Sequence, residues 1–177
     1  MTAPSIARLG HVGIHCKDLE KQKTFYRDVL GLQVTDEAPA MGMVFMSARP
    51  EEEHHEFLLC GGRNVDDVNL LQQISWRCDS LEDVIAFYQR FKANRIKFDM
   101  IVSHGNAVGV YFSDPEDNRL EVYWGTGLQA RQPYLEKVDL TKSPAEIMRE
   151  IEHSVAVHGA VGVVDPAALE MQDIHAP

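Results

Sequence analysis

Apolar and polar residues alternate over residues 9–16, with His11, Gly13 and His15 on one face and Val12, Ile14 and Cys16 on the other. That period predicts a half-buried strand. The pattern returns over 71–78, where Gln73, Ser75 and Arg77 take the first face. A helical period follows each strand: Leu19, Tyr26, Val29 and Leu30 make one apolar stripe, and Leu81, Val84, Ile85, Tyr88 and Phe91 the other. Asp18 and Ser80 are the expected N-caps, and Gly31 is expected to end the first helix. Three short strands are then predicted in each half, over 32–35, 42–46 and 55–60, and over 98–101, 108–112 and 119–124. Asp114-Pro-Glu-Asp-Asn118 forms the turn before the last of them.

The two halves are copies of one unit. Gln73-Ile-Ser-Trp-Arg-Cys78 aligns with His11-Val-Gly-Ile-His-Cys16 at an offset of 62, and Glu121-Val-Tyr-Trp-Gly125 with Glu56-Phe-Leu-Leu-Cys60 at an offset of 65. Each copy reads βαβββ, a sheet with one face covered by its helix and the other in need of a partner. The expected fold is α+β: two paired modules, over 7–61 and 69–125, forming one curled mixed sheet around a cavity. A third region, 126–177, holds a helix opened by the capping box Ser143-Pro-Ala-Glu146 and running to about Val157, then a tail without a clear pattern.

Composition narrows the functional classes. Seventeen Lys and Arg against 27 Asp and Glu give a net charge of -10, which argues against nucleic acid and anionic membrane as partners. The chain shows neither an apolar run of membrane-spanning length nor a signal-peptide pattern, so a cytoplasmic location is expected. Cys16, Cys60 and Cys78, an odd number without CxxC spacing, are expected to be buried free thiols.

Strand alternation turns Glu121 and Tyr123 to the same face as Gln73, and the repeat alignment adds Glu56 opposite Glu121. His11, Glu56, Gln73 and Glu121 thus form two pairs of equivalent positions, a donor set suited to a divalent metal. If Glu56 faces the cavity, alternation turns His54 inward and His55 away, unless a bulge intervenes.

These residues resemble the vicinal oxygen chelate superfamily, and within it the type I extradiol ring-cleaving dioxygenases. The resemblance covers roughly 8–125. It rests on Leu9-Gly-His11, Phe25-Tyr-Arg-Asp-Val-Leu-Gly-Leu32, the pair His54-His55, Ser103-His104-Gly105, and Tyr111-Phe-Ser-Asp-Pro115 running into Asn118-Arg-Leu-Glu121. It implies a dioxygenase that cleaves a catechol or related aromatic diol with O2 on a non-haem metal, Fe(II) or else Mn(II), in aromatic catabolism. His11, Gln73 and Glu121 become metal ligands with Glu56 as a fourth candidate. His55 becomes the acid/base, His104 and Tyr111 hydrogen-bond the diol, and His54 and Tyr123 join the substrate-binding candidates. The chain departs from the family at Gln73, where a histidine ligand is expected. An amide oxygen is a harder, weaker donor than imidazole and moves the preference away from Fe(II). The four-residue set also resembles glyoxalase I, so a metal-dependent lyase or isomerase is the second reading and a non-catalytic small-molecule binder the third. A homo-oligomer is expected.

Overall fold

The computed structural model describes residues 10–68, 71 and 73–168. Leu9 at the start of the first predicted strand, Gln72 in its twin, and the tail beyond residue 168 lie outside the described residues. The chain divides into two compact units at residue 69, a boundary that leaves the C-terminal extension in the second unit.

In the first unit β1 (Val12–His15) leads into α1 (Leu19–Asp28), then β2 (Gln33–Ala38), β3 (Met43–Ser47) and β4 (Phe57–Cys60). Asp18 caps α1 by accepting from the Lys21 amide, and Gly31, at φ +85°, lets the chain turn out of the helix. The sheet order is β1-β4-β3-β2, with β1 parallel to β4 and the other pairs antiparallel. The even face buries as alternation predicts: Ile14 and Cys16 are in the core with Phe25, Tyr26, Met46 and Phe57, and the Tyr26 and Phe57 rings lie 4.5 Å apart. Gly13 and His15 are exposed.

The second unit repeats this plan in β5 (Ile74–Arg77), α2 (Leu81–Ala93), β6 (Phe98–Ser103), β7 (Ala107–Ser113) and β8 (Arg119–Gly125). Its strands run β5-β8-β7-β6, again with the outer pair parallel. Even the irregularities match, a register shift between Val34 and Asp36 in β2 and one between Phe98 and Met100 in β6. Ser80 caps α2, whose buried Leu81, Val84, Tyr88 and Phe91 lie on its apolar stripe, and Phe91 stacks 4.3 Å from Phe112 of β7. The Asp114 side chain holds the turn before β8 by accepting from the amides of Glu116 and Asn118.

The class is α+β with two βαβββ modules, and the strands are distributed over two mixed sheets, one in each unit. The second sheet is extended by two strands that hydrophobic patterning does not mark. β9 (Tyr134–Lys137) pairs antiparallel with β6, and β10 (Val163–Val164) pairs parallel with β9. Between them runs α3 (Pro144–His158), opened by the predicted capping box of Ser143 and Glu146. All three cysteines are free, and burial lifts the Cys78 thiol to about 11. No helix among the described residues is long and apolar enough to cross a membrane.

Candidate active site

The second unit gathers its chemistry around Glu121. Ser75 and Glu121 are direct partners in the parallel β5–β8 ladder, and the Ser75 hydroxyl donates to Glu121 Oε2 at 2.6 Å. Gln73, just before β5, donates Nε2 to the same oxygen at 3.0 Å. Across the other ladder Glu121 faces Tyr111 of β7. Gly109 makes room for the carboxylate, since a Cβ there would stand 2.4 Å from Oε1. Glu121 is only 6% exposed; its hydrogen-bond donors among the described residues, Gln73 and Ser75, are neutral, and so is its cross-strand neighbour Tyr111. A buried carboxylate without a counter-cation is costly, and a bound cation offsets that cost.

Tyr111 is buried, and its phenol is held well above the ordinary tyrosine range. Burial is the main cause and the Glu121 charge the next; together they outweigh the Arg119 guanidinium, 4.8 Å from the centre of the Tyr111 ring. His104 sits in the hairpin between β6 and β7 and bridges two elements: Nε2 lies 2.9 Å from the Tyr111 hydroxyl, and Nδ1 lies 3.0 Å from the carbonyl oxygen of Tyr134 on β9. Tyr123 shares the Glu121 face of β8, pairing with Arg77 and Gly109, and is partly buried.

The first unit gathers histidines. The rings of His11 and His55 are 4.6 Å apart, Nδ1 of His54 meets Nδ1 of His55 at 3.0 Å, and Phe45 packs beside both members of the pair. Burial, reinforced by the neighbouring His11 and His54, lowers the affinity of His55 for a proton, with Glu53 opposing weakly. Strand alternation does not govern these residues. β4 begins at Phe57, so His54 and His55 belong to the preceding loop and are not bound to opposite faces.

Glu56 departs from the expectation. The repeat alignment makes it the twin of Glu121, but the ladder registers correct this. Gly13 pairs with Leu58 as Ser75 pairs with Glu121, so Leu58 holds the equivalent place. Glu56 itself accepts from Arg49 Nη2 at 2.6 Å, the Ala48 amide at 3.0 Å and the Ser47 hydroxyl at 3.2 Å. Burial alone would raise its carboxyl, but those hydrogen bonds and the Arg49 charge bring it below the ordinary value. Unlike Glu121, Glu56 thus already has a cationic partner in Arg49.

Among the described residues no three His, Cys, Asp or Glu side chains converge as a ready metal cluster. The Gln73–Glu121 pair nevertheless fits a hard divalent ion: rotating the Gln73 amide by half a turn presents two oxygens to one point in place of an N–H···O contact. Hydrophobic patterning does not reveal Gly109, the Tyr134 carbonyl, or Gln132, whose Nε2 donates to the His104 carbonyl at 2.9 Å, as parts of this site. Gly109 carries a signal, a strand glycine two residues before Tyr111. Gln132 and Tyr134 carry none.

Residues 8–122 match the family model described as Glyoxalase/Bleomycin resistance protein/Dioxygenase superfamily. The chain belongs to this superfamily. Within the glyoxalase/dioxygenase superfamily it is 30% identical over 127 residues to the manganese-dependent 2,3-dihydroxybiphenyl 1,2-dioxygenase of Geobacillus genomosp. 3, covering 70% of this chain and 38% of that protein. It is also 30% identical over 122 residues to biphenyl-2,3-diol 1,2-dioxygenase 3 of Rhodococcus globerulus, covering 65% of this chain and 62% of the relative. The chain therefore spans less than two thirds of these relatives. Solved superfamily structures share the fold. Lactoylglutathione lyase from Agrobacterium tumefaciens matches with a TM-score of 0.56 at 21% identity, over 69% of this chain and 96% of that one. The fosfomycin resistance protein FosX of Listeria monocytogenes, complexed with Mn(II) and sulfate, matches with a TM-score of 0.55 at 20% identity, over 69% of this chain and 93% of that one.

Proposed function

We propose that this chain is a metal-dependent, extradiol-type ring-cleaving dioxygenase acting on a catechol or related aromatic diol, with Gln73 and Glu121 as the metal ligands of its second unit. The observation that carries the reading is the buried Glu121 carboxylate, uncompensated by any cationic side chain among the described residues and set beside the Tyr111–His104 pair. The dioxygenases at 30% identity support the reaction class. A divalent metal held by Gln73 and Glu121 would supply a Lewis-acidic centre for the diol and a route for its electron density to dioxygen. The oxygen-rich donor set and the manganese dependence of one relative favour Mn(II) over Fe(II).

The protein's own groups have separate tasks. Tyr111 and His104 orient a diol hydroxyl. His55, whose affinity for a proton is lowered by burial and by the adjacent histidines, is the acid/base candidate. The glyoxalase reading needs Glu56 as a ligand, and the engagement of Glu56 by Arg49 speaks against it.

The test is oxygen uptake by protein loaded in turn with Mn(II) and Fe(II), using catechol and 2,3-dihydroxybiphenyl. Uptake with either metal and formation of a yellow ring-fission product are expected. Stoichiometric metal binding without uptake on any diol of a wider panel overturns the reaction class, and failure to bind metal overturns the ligand assignment.

A further inference from the structure

The family match ends at residue 122, yet the segment beyond it closes around His104. Gly105, at φ +72°, leaves no room for a side chain, because a Cβ there would stand 2.4 Å from the Ala130 methyl. Thr126 Oγ1 donates to the Gly105 carbonyl at 2.7 Å. The Gln132 amide then bridges the two strands of chain: Nε2 donates to the His104 carbonyl at 2.9 Å, and Oε1 accepts from the Tyr134 amide at 3.1 Å. The Tyr134 carbonyl thereby comes to lie 3.0 Å from His104 Nδ1.

A carbonyl oxygen only accepts, so the imidazole must carry its proton on Nδ1; the other tautomer would set two lone pairs against each other. With the neutral ring so fixed, Nε2 is an acceptor, and the contact at 2.9 Å is a hydrogen bond donated by the Tyr111 hydroxyl. The phenolic proton is thus turned toward His104.

We propose that the Tyr134 carbonyl, held by the Gln132 side chain, is a positioning group that fixes the tautomer of His104 and through it the direction of the Tyr111 hydroxyl. Resting on the function proposed above, this fixes the direction in which the Tyr111 hydroxyl meets a bound diol. The C-terminal extension is then part of the site.

The experiment is nitrogen-15 NMR of the imidazole side chains in metal-free full-length protein at about pH 8, above the ordinary imidazole range, with the His104 signals assigned by their loss in His104→Asn. The expected spectrum has a protonated Nδ1 and an unprotonated Nε2. In Gln132→Ala, a change at an exposed residue, the signals are expected to shift toward a mixture of tautomers. The metal-loaded variant should lose kcat on the order of tenfold with its KM and melting temperature kept, the scale of loss when an orienting partner is removed. An Nε2-protonated His104 in the unmodified protein overturns the inference, as does an unchanged tautomer in Gln132→Ala. The spectrum needs no turnover: the expected tautomer in a protein that cleaves no diol would sink the proposed function and leave the positioning role standing.

Discussion

Gly109 and Glu121 are matched in shape: the missing side chain of one is the space filled by the carboxylate of the other, with 2.4 Å between Oε1 and the position of a Cβ at 109. The backbone at Gly109 needs no unusual conformation, so the glycine serves that contact and not a turn.

Gly109→Ala should therefore displace the Glu121 carboxylate while leaving β7 intact. The expected outcome is a loss of divalent-metal affinity of at least about tenfold and a destabilisation of about 1–3 kcal/mol from overpacking. Titration calorimetry with Mn(II) and a thermal melt check both, and unchanged affinity would remove Glu121 from the ligand set.

Gln73→His exchanges an amide oxygen for an imidazole nitrogen at the position where the chain departs from its resemblance. Fe(II) affinity should rise roughly tenfold, about 1.4 kcal/mol, because imidazole suits iron better than an amide does. Competition between Fe(II) and Mn(II), followed by metal analysis, reads the shift; a fall in affinity for both would show that Gln73 holds Glu121 without touching metal.

Much of this arrangement is legible in the sequence. Alternation separates His11, Gly13 and His15 from the buried Ile14 and Cys16, and groups Gln73 and Ser75 with Glu121, because a period of two is imposed by the strand itself. Glu56 is where the same logic stops. The offset of the repeat drifts along the chain, and only the hydrogen-bond register reveals that Leu58 stands where Glu121 does. The share of the site that comes from Gln132 and Tyr134 is likewise hidden, since a carbonyl and an exposed amide leave no trace in hydrophobic patterning.

Glu56 contributes to stability in a pH-dependent way. Its folded carboxyl lies below the ordinary value despite burial, because Arg49, Ala48 and Ser47 hold the charged form. That contribution is present above the unfolded carboxylate range, near 4.3, and is lost as pH falls through the lower folded value. Glu56→Gln should cost about 1 kcal/mol at neutral pH and progressively less in acid, with metal binding unaffected. Denaturant titrations at several pH values measure the first, and loss of metal on this substitution would restore Glu56 as a ligand.

Gln22 is fully buried on α1, and neither polar atom of its side chain has a hydrogen-bond partner among the described residues. Replacing it with Met keeps the length and removes the unsatisfied groups. Gln22→Met should stabilise the protein by about 1–3 kcal/mol, raising the melting temperature by roughly 2–4 °C for each kcal/mol in a chain of this size. A lower melting temperature would show that the amide is needed.

The proposed activity inserts both atoms of dioxygen into an aromatic diol. Isotopically labelled dioxygen tests it most directly: metal-loaded protein is given 2,3-dihydroxybiphenyl under the labelled gas and the product is weighed by mass spectrometry. Ring cleavage next to the diol predicts a product heavier by both labelled oxygen atoms. Unlabelled product, or recovery of the diol intact from protein shown to hold its metal, would contradict the claim.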